Sequence, residues 1–189
     1  LKFEELNIEM ISQRPFVRLD MTTSTGDTLR DLRFLLDTGG GLTMLVSTNT
    51  HPALRVPEKT IATSVGAGLS GLVTGFVGRT SWVHIGPFEF QHVVTSFQEA
   101  PDSLYRRNSV QRNGLVGNVI LSRFDVVLDY VDEKMYLRPR RMWKRDFEYD
   151  KSGLSIIAGG PHLDDYYINQ VVAGSPADRA GLQRGDRIL

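Results

Sequence analysis

The stretch Leu35-Leu36-Asp37-Thr38-Gly39 decides how this chain is read. An apolar run ends in a carboxylate, and a hydroxyl and a glycine come directly after it. Charged side chains are seldom set against a core-forming run unless something pairs with them or uses them. The ordinary alternative is an Asx-type turn closing a strand. Upstream, Phe16-Val17-Arg18-Leu19-Asp20-Met21 and Leu29 to Leu36 read as two strands, with turn chemistry between them at Ser24-Thr25-Gly26-Asp27. The pair is a hairpin whose second strand delivers Asp37. Downstream, Gly39-Gly40-Gly41 predicts a change of direction through glycine's free access to positive φ.

The 189 residues, 41% of them apolar, suit one domain or one domain plus part of another. Lys and Arg total 22 and Asp and Glu total 22, which excludes a global cationic footprint for nucleic acid or an acidic membrane. No apolar run is long enough to span a bilayer. With no cysteine there is no disulfide, no thiolate metal site and no cysteine nucleophile, and the compartment is left open. The first residue is Leu1 rather than Met, as expected of a processed or trimmed polypeptide, so the lack of a visible signal peptide proves nothing.

Taken in order, Phe3, Leu6, Ile8 and Met10 alternate weakly and predict an edge strand. Leu42 to Val46 is a short strand after the glycines, and Ile61 to Ile85 is β-like and interrupted by Gly66, Gly68, Gly71, Gly75 and Gly78. Phe88 to Phe97 is another strand, and the polar residues 99–113 predict a loop. Leu115-Val116-Gly117-Asn118-Val119-Ile120-Leu121 reads as a buried strand turning into a short helix, and Phe124 to Tyr130 with Lys134 to Leu137 as a final hairpin. Many short strands with turn signals and hardly any helix predict a mainly β, closed or folded-over architecture. Composition shifts at Arg138-Pro139-Arg140-Arg141, so residues 1–138 form the first domain and 139–151 a charged, solvated linker. A second pattern occupies residues 152–189 and ends in mid-domain.

Gly66-Ala67-Gly68-Leu69-Ser70-Gly71 matches G-x-G-x-x-G, yet the residues after Gly71 are β-like where a dinucleotide site needs a helix. The chain also lacks the strand lysine, His-Arg-Asp and Asp-Phe-Gly of a kinase. A glycine-tipped hairpin able to close over a cleft fits better, with a plain surface hairpin as the alternative. His51, His84, His92 and His162 lack metal-ligand spacing, so no metal and no cofactor is expected. The Arg138 to Arg145 cluster leads straight into Asp146, Glu148 and Asp150 and carries no nucleic-acid motif.

Asp37-Thr38-Gly39 after an apolar strand, with Leu115-Val116-Gly117 and a helix far downstream, resembles the retropepsin-like aspartic proteases in their bacterial branch. The hairpin Phe124-Asp125-Val126-Val127-Leu128-Asp129-Tyr130 is similar too, and the resemblance covers roughly residues 14–138. It implies a closed β-barrel, half of an acid-protease site, with a flap at Gly66, Ala67, Gly68, Leu69, Ser70 and Gly71. In that family two carboxylates share one proton and activate water to hydrolyse a peptide bond. Asp37 would be the acid/base, Thr38 would hydrogen-bond across to steady the paired loops, and Gly39 would bring its N–H to the carboxylate. Asp27-Thr28 is succeeded by Leu29, so this chain has one Asp-Thr-Gly and the second Asp must come from a second copy, in a C2 homodimer. Val116 and Gly117 would lie at the substrate floor, and Val65, Leu72 and Val116 would favour apolar side chains in a polypeptide substrate. The family usually has Ala or Ser after the glycine, and Gly40-Gly41 here implies a looser loop.

Ile168-Asn169-Gln170-Val171-Val172 through Gly174-Ser175-Pro176-Ala177, Ala180-Gly181-Leu182 and Gly185-Asp186 resembles the start of a bacterial-type PDZ domain. Leu154-Ser155-Ile156 would then match the loop that holds a peptide C-terminal carboxylate. Together the resemblances imply an aspartic endopeptidase in an extracytoplasmic site of a bacterium. The alternative is a non-catalytic, protease-like module that binds peptides and docks them through its PDZ segment.

Overall fold

The computed structural model describes residues 2–68, 71–100 and 110–189. Leu69 and Ser70, at the tip of the expected flap, lie outside the described residues, as does most of the loop expected at 99–113.

The hairpin that delivers Asp37 forms as the sequence predicts. Strands β1 (Glu4–Ile11), β2 (Arg14–Thr22) and β3 (Thr28–Leu36) run antiparallel, with Phe16 opposite Leu35 and Val17 opposite Phe34. The turn between β2 and β3 is set by its small polar residues. Thr23 Oγ1 accepts from the Asp27 N–H at 3.1 Å, Thr25 donates to the Asp27 carboxylate at 2.8 Å, and Gly26 takes φ +94°. Val17, Leu19 and Met21 alternate with half-buried residues along β2, the period of a strand with one face on a core.

The next strands are β4 (Met44–Ser47), β5 (Ile61–Gly68), β6 (Gly71–Ile85), β7 (Phe88–Gln98) and β8 (Gly114–Val116). The helical turn α1 (Asn118–Leu121) leads into β9 (Phe124–Asp129) and β10 (Lys134–Pro139). The sheet order is β5-β6-β7-β4-β8-β3-β2-β1-β10-β9, and β2 also pairs with β6 through Asp20–His84, Met21–Val83 and Thr22–Trp82. That extra pairing closes β6, β7, β4, β8, β3 and β2 into a ring. The expected closed, mainly β architecture is therefore present, and its buried apolar residues, among them Phe34, Met44, Val46, Val83, Val93 and Val116, fill the interior.

Two expectations need correction. The first strand is not an edge: Glu4 to Asn7 pair with β10, and Ile8 to Ile11 pair with β2, so β1 bridges the ring to the β9–β10 hairpin. Residues 139–151 are not solvated along their length. Phe147 is 5% exposed and Trp143 packs on the core, where both meet Phe90 edge-to-face. Arg123 stacks over the Phe147 ring at 3.6 Å and donates to the Trp143 carbonyl at 2.9 Å. The two aromatics are four residues apart among charges, and the charges dominate the local composition.

The tail forms a separate sheet of β11 (Leu154–Gly159), β12 (Asp165–Val171) and β13 (Arg187–Ile188), in that order, with the helical turn α2 (Pro176–Arg179) between β12 and β13. Ser175 caps α2 by accepting from the Asp178 N–H at 3.2 Å, and Pro176 occupies the first turn. Leu154, Ser155 and Ile156 open strand β11 rather than standing in a free loop.

Candidate active site

Strand β8 is the wedge that builds the site. It lies parallel to β3, with Leu36 opposite Val116, and antiparallel to β4, with Met44 opposite Val116. Val116, fully buried, thus sits between the two ends of the segment 37–43. The glycines flanking it are required by backbone approach. A side chain at Gly114 would overlap the Leu45 carbonyl oxygen, and one at Gly117 the Leu42 carbonyl oxygen. This is the physical content of the apolar-apolar-glycine pattern.

The loop carrying Asp37 is tied on both sides. The Asp37 N–H donates to the Val116 carbonyl at 2.9 Å, Gly117 to Thr43 at 3.0 Å, Asn118 to Gly40 at 2.8 Å and Val119 to Leu42 at 3.3 Å. These bonds take up the slack expected from Gly40-Gly41. None of Gly39, Gly40 and Gly41 has positive φ, so the expected left-handed turn is absent. Glycine serves here by having no side chain. The Gly39 N–H donates to Asp37 Oδ1 at 3.1 Å, and a Cβ at Gly40 would stand 2.8 Å from Asp37 Oδ2. Asp37 is half-buried, and Thr38 and Gly39 are exposed. A carboxylate oriented by one backbone amide and still open to solvent can exchange a proton with water and accept a hydrogen bond from it.

Sequence reasoning missed the cations nearby. Arg14 opens β2, two residues before the Phe16–Leu35 pair. Arg112 precedes β8 and is half-buried. Burial lowers the pKa of its guanidinium, the charge of Arg14 lowers it further, and the charge of Asp37 opposes both. Arg14, Arg112 and Asp37 therefore share one electrostatic neighbourhood. Only the position of Arg112, just ahead of the apolar-apolar-glycine strand, hinted at this.

The glycine-rich motif forms a β-hairpin, with Gly66 opposite Val73, Ala67 opposite Leu72 and Gly68 opposite Gly71. Gly71 opens strand β6, where a phosphate-binding loop would need a helix. Among the described residues, no backbone hydrogen bond joins this hairpin to residues 37–43. Val65 is buried, so it faces the core. Among the described residues, no cluster of three or more His, Cys, Asp or Glu side chains has the arrangement of a metal site, and no helix is long and apolar enough to cross a membrane.

A family model for the PDZ domain matches residues 167–189. A search of curated proteins gives no match. Among solved structures, the chain is similar to a retropepsin-like aspartic protease from Rickettsia conorii at 16% identity, with a TM-score of 0.49, covering 72% of this chain and 91% of that one.

Proposed function

We propose that this chain is an aspartic endopeptidase whose active form is a homodimer, with the two Asp37 carboxylates facing each other on the axis. The observation that carries the reading is the setting of Asp37. It ends β3, its own N–H is held by Val116, its Oδ1 is held by the Gly39 N–H, and it remains open to solvent. A structural Asx turn does not need a wedge strand with a glycine at each end.

One carboxylate takes a proton from water as that water attacks the peptide carbonyl. The other, protonated, gives its proton to the carbonyl oxygen, forming a neutral gem-diol. Collapse of this intermediate breaks the C–N bond: the protonated carboxyl gives its proton to the leaving nitrogen while the ionised one takes a proton from a gem-diol hydroxyl, which yields an acid and an amine and restores the singly protonated dyad. The sharing of one proton belongs to the pair, and a single chain has one such Asp. Thr38, which is exposed, would hydrogen-bond across to the second copy. An extended polypeptide would lie between this floor and the hairpin, with Gly66 to Gly71 as its lid. The charge of Asp37 acts on Arg112 against that of Arg14, so cations would bear on the electrostatics of the dyad.

Asp37→Asn tests the reading. It should lower kcat/KM on an unfolded protein substrate by at least about a thousandfold, roughly 4 kcal/mol of transition-state stabilisation. Sedimentation of the same samples should show an unchanged dimer. Cleavage at the wild-type rate would end the protease reading and leave the peptide-binding one.

A further inference from the structure

Among the described residues, the tail sheet hydrogen-bonds to the glycine-rich hairpin through one side chain. Gln170 Oε1 accepts from the Ser64 N–H at 3.0 Å and from the Thr63 hydroxyl at 3.4 Å. Ser64 and Gln170 each stand next to a strand irregularity. In the β5–β6 ladder, Ser64 pairs with Thr74 and Gly66 with Val73, so Val65 is an extra residue, and it is buried. In the β11–β12 ladder, Ser155 pairs with Gln170 and Ile156 with Ile168, so Asn169 is an extra residue. A bulge re-aims neighbouring groups and leaves a backbone group outside the ladder. Ser64 lies on β5, the outer strand of its sheet, so an amide that points away from β6 has no ladder partner, and Gln170 supplies the acceptor.

The surroundings give this contact leverage. The chain between the two sheets is fixed at Phe147, which is buried in the aromatic cluster and whose carbonyl accepts from Arg79 of β6 at 3.1 Å. Beyond that anchor, an open cleft of about 830 Å³ separates the hairpin base (Thr60, Ile61, Ala62) from the tail (Gly153, Val172 to Pro176). Among the described residues, the hydrogen bonds between tail and hairpin all go to Gln170, beside this open cleft. Contacts of that kind break and reform at little cost.

We propose that Gln170 is a latch by which the tail sheet holds the paired strands β5 (Ile61–Gly68) and β6 (Gly71–Ile85), and that its release sets how readily these strands move. On the protease reading, on which this regulatory role rests, the latch controls access to Asp37. Anything that displaces β12 would act on the flap without touching the catalytic loop.

Amide hydrogen exchange reads the latch without relying on activity. Gln170→Met keeps the length of the side chain and removes the acceptor, and Gln170→Glu keeps an acceptor. In the full chain, Gln170→Met should accelerate exchange of the Ser64 amide about fivefold to tenfold, the loss of one ordinary hydrogen bond. The acceleration should spread to the ladder amides of Ile61 to Val65 and Val73 to Val77, and Gln170→Glu should restore protection. Unchanged Ser64 exchange in Gln170→Met, or acceleration confined to Ser64, overturns the proposal. If the hairpin loosens as stated while the wild-type chain hydrolyses nothing, the protease reading fails and the latch stands.

Discussion

Asp37 and Gly40 are fitted to one another: the place of a Cβ on Gly40 lies 2.8 Å from Asp37 Oδ2 and 3.0 Å from its Cγ. The obstacle is the far end of a side chain, which can rotate, and not backbone. Gly40→Ala should therefore change stability by less than about 1 kcal/mol. The Ala or Ser that the sequence resemblance implies at this position means that the carboxylate makes room by rotating and keeps its bond from the Gly39 N–H. On the protease reading, hydrolysis should then stay within about threefold of wild type, under about 1 kcal/mol in the barrier. Thermal unfolding and kcat/KM on the same variant check both halves. A large drop in Tm would mean that the carboxylate cannot yield.

Gly114 and Gly117 make the opposite case, because their obstacles are the carbonyl oxygens of Leu45 and Leu42. A methyl at either position must push strand β8 away from β4. Gly114→Ala and Gly117→Ala should each cost about 3 kcal/mol or more, measured by urea unfolding. A cost near zero would show that β8 is not wedged as described.

Phe147 anchors the segment that leads to the tail. Phe147→Ala removes an aromatic from a cluster that includes Phe90 and leaves Arg123 without the ring it covers. The expected loss is about 3 kcal/mol by chemical denaturation. Lys151→Ala, in the exposed stretch beyond it, should be neutral within about 0.5 kcal/mol.

Glu9 bridges Arg18 and Arg33, and the hydrogen bond from Arg18 holds its carboxyl below the ordinary value of 4.5, with the charge of both arginines and the bond from Arg33 adding to it and burial opposing. A carboxyl with a depressed folded pKa stabilises the fold above its unfolded value. That contribution is lost as pH falls from about 4.5 through the lower folded value. Asp125, bound by Arg138 and Arg140, behaves in the same sense. Unfolding free energy measured from pH 6 downward should fall less steeply in Glu9→Gln than in wild type. Parallel acid limbs would show that this pair is too well screened to matter.

The elements legible in the sequence were those whose cause is local. The β2–β3 hairpin arises from Ser24-Thr25-Gly26-Asp27 and from alternation along β2, and the wedge from Leu115-Val116-Gly117. The features that stayed hidden depend on distant partners. Arg112 comes under the charges of both Arg14 and Asp37 only once the strands are assembled, and Phe147 is buried only because Phe90 and Arg123 come to meet it. Gln170 finds Ser64 across 106 residues of chain, beside two bulges that no alternation pattern announces. The glycines after Asp37 were legible as a departure, but their purpose was not. Positive φ was expected, and close approach of a carboxylate is the property that Gly40 provides.

The central claim is that one active site needs an Asp37 from each of two chains. Mixing wild-type and Asp37→Asn chains at fixed total concentration, with exchange of subunits allowed, tests it most directly. If the site is shared, hydrolysis falls as the square of the wild-type fraction, to about one quarter in an equal mixture. A fall in simple proportion, to about one half, would place a complete site in each chain and contradict the account.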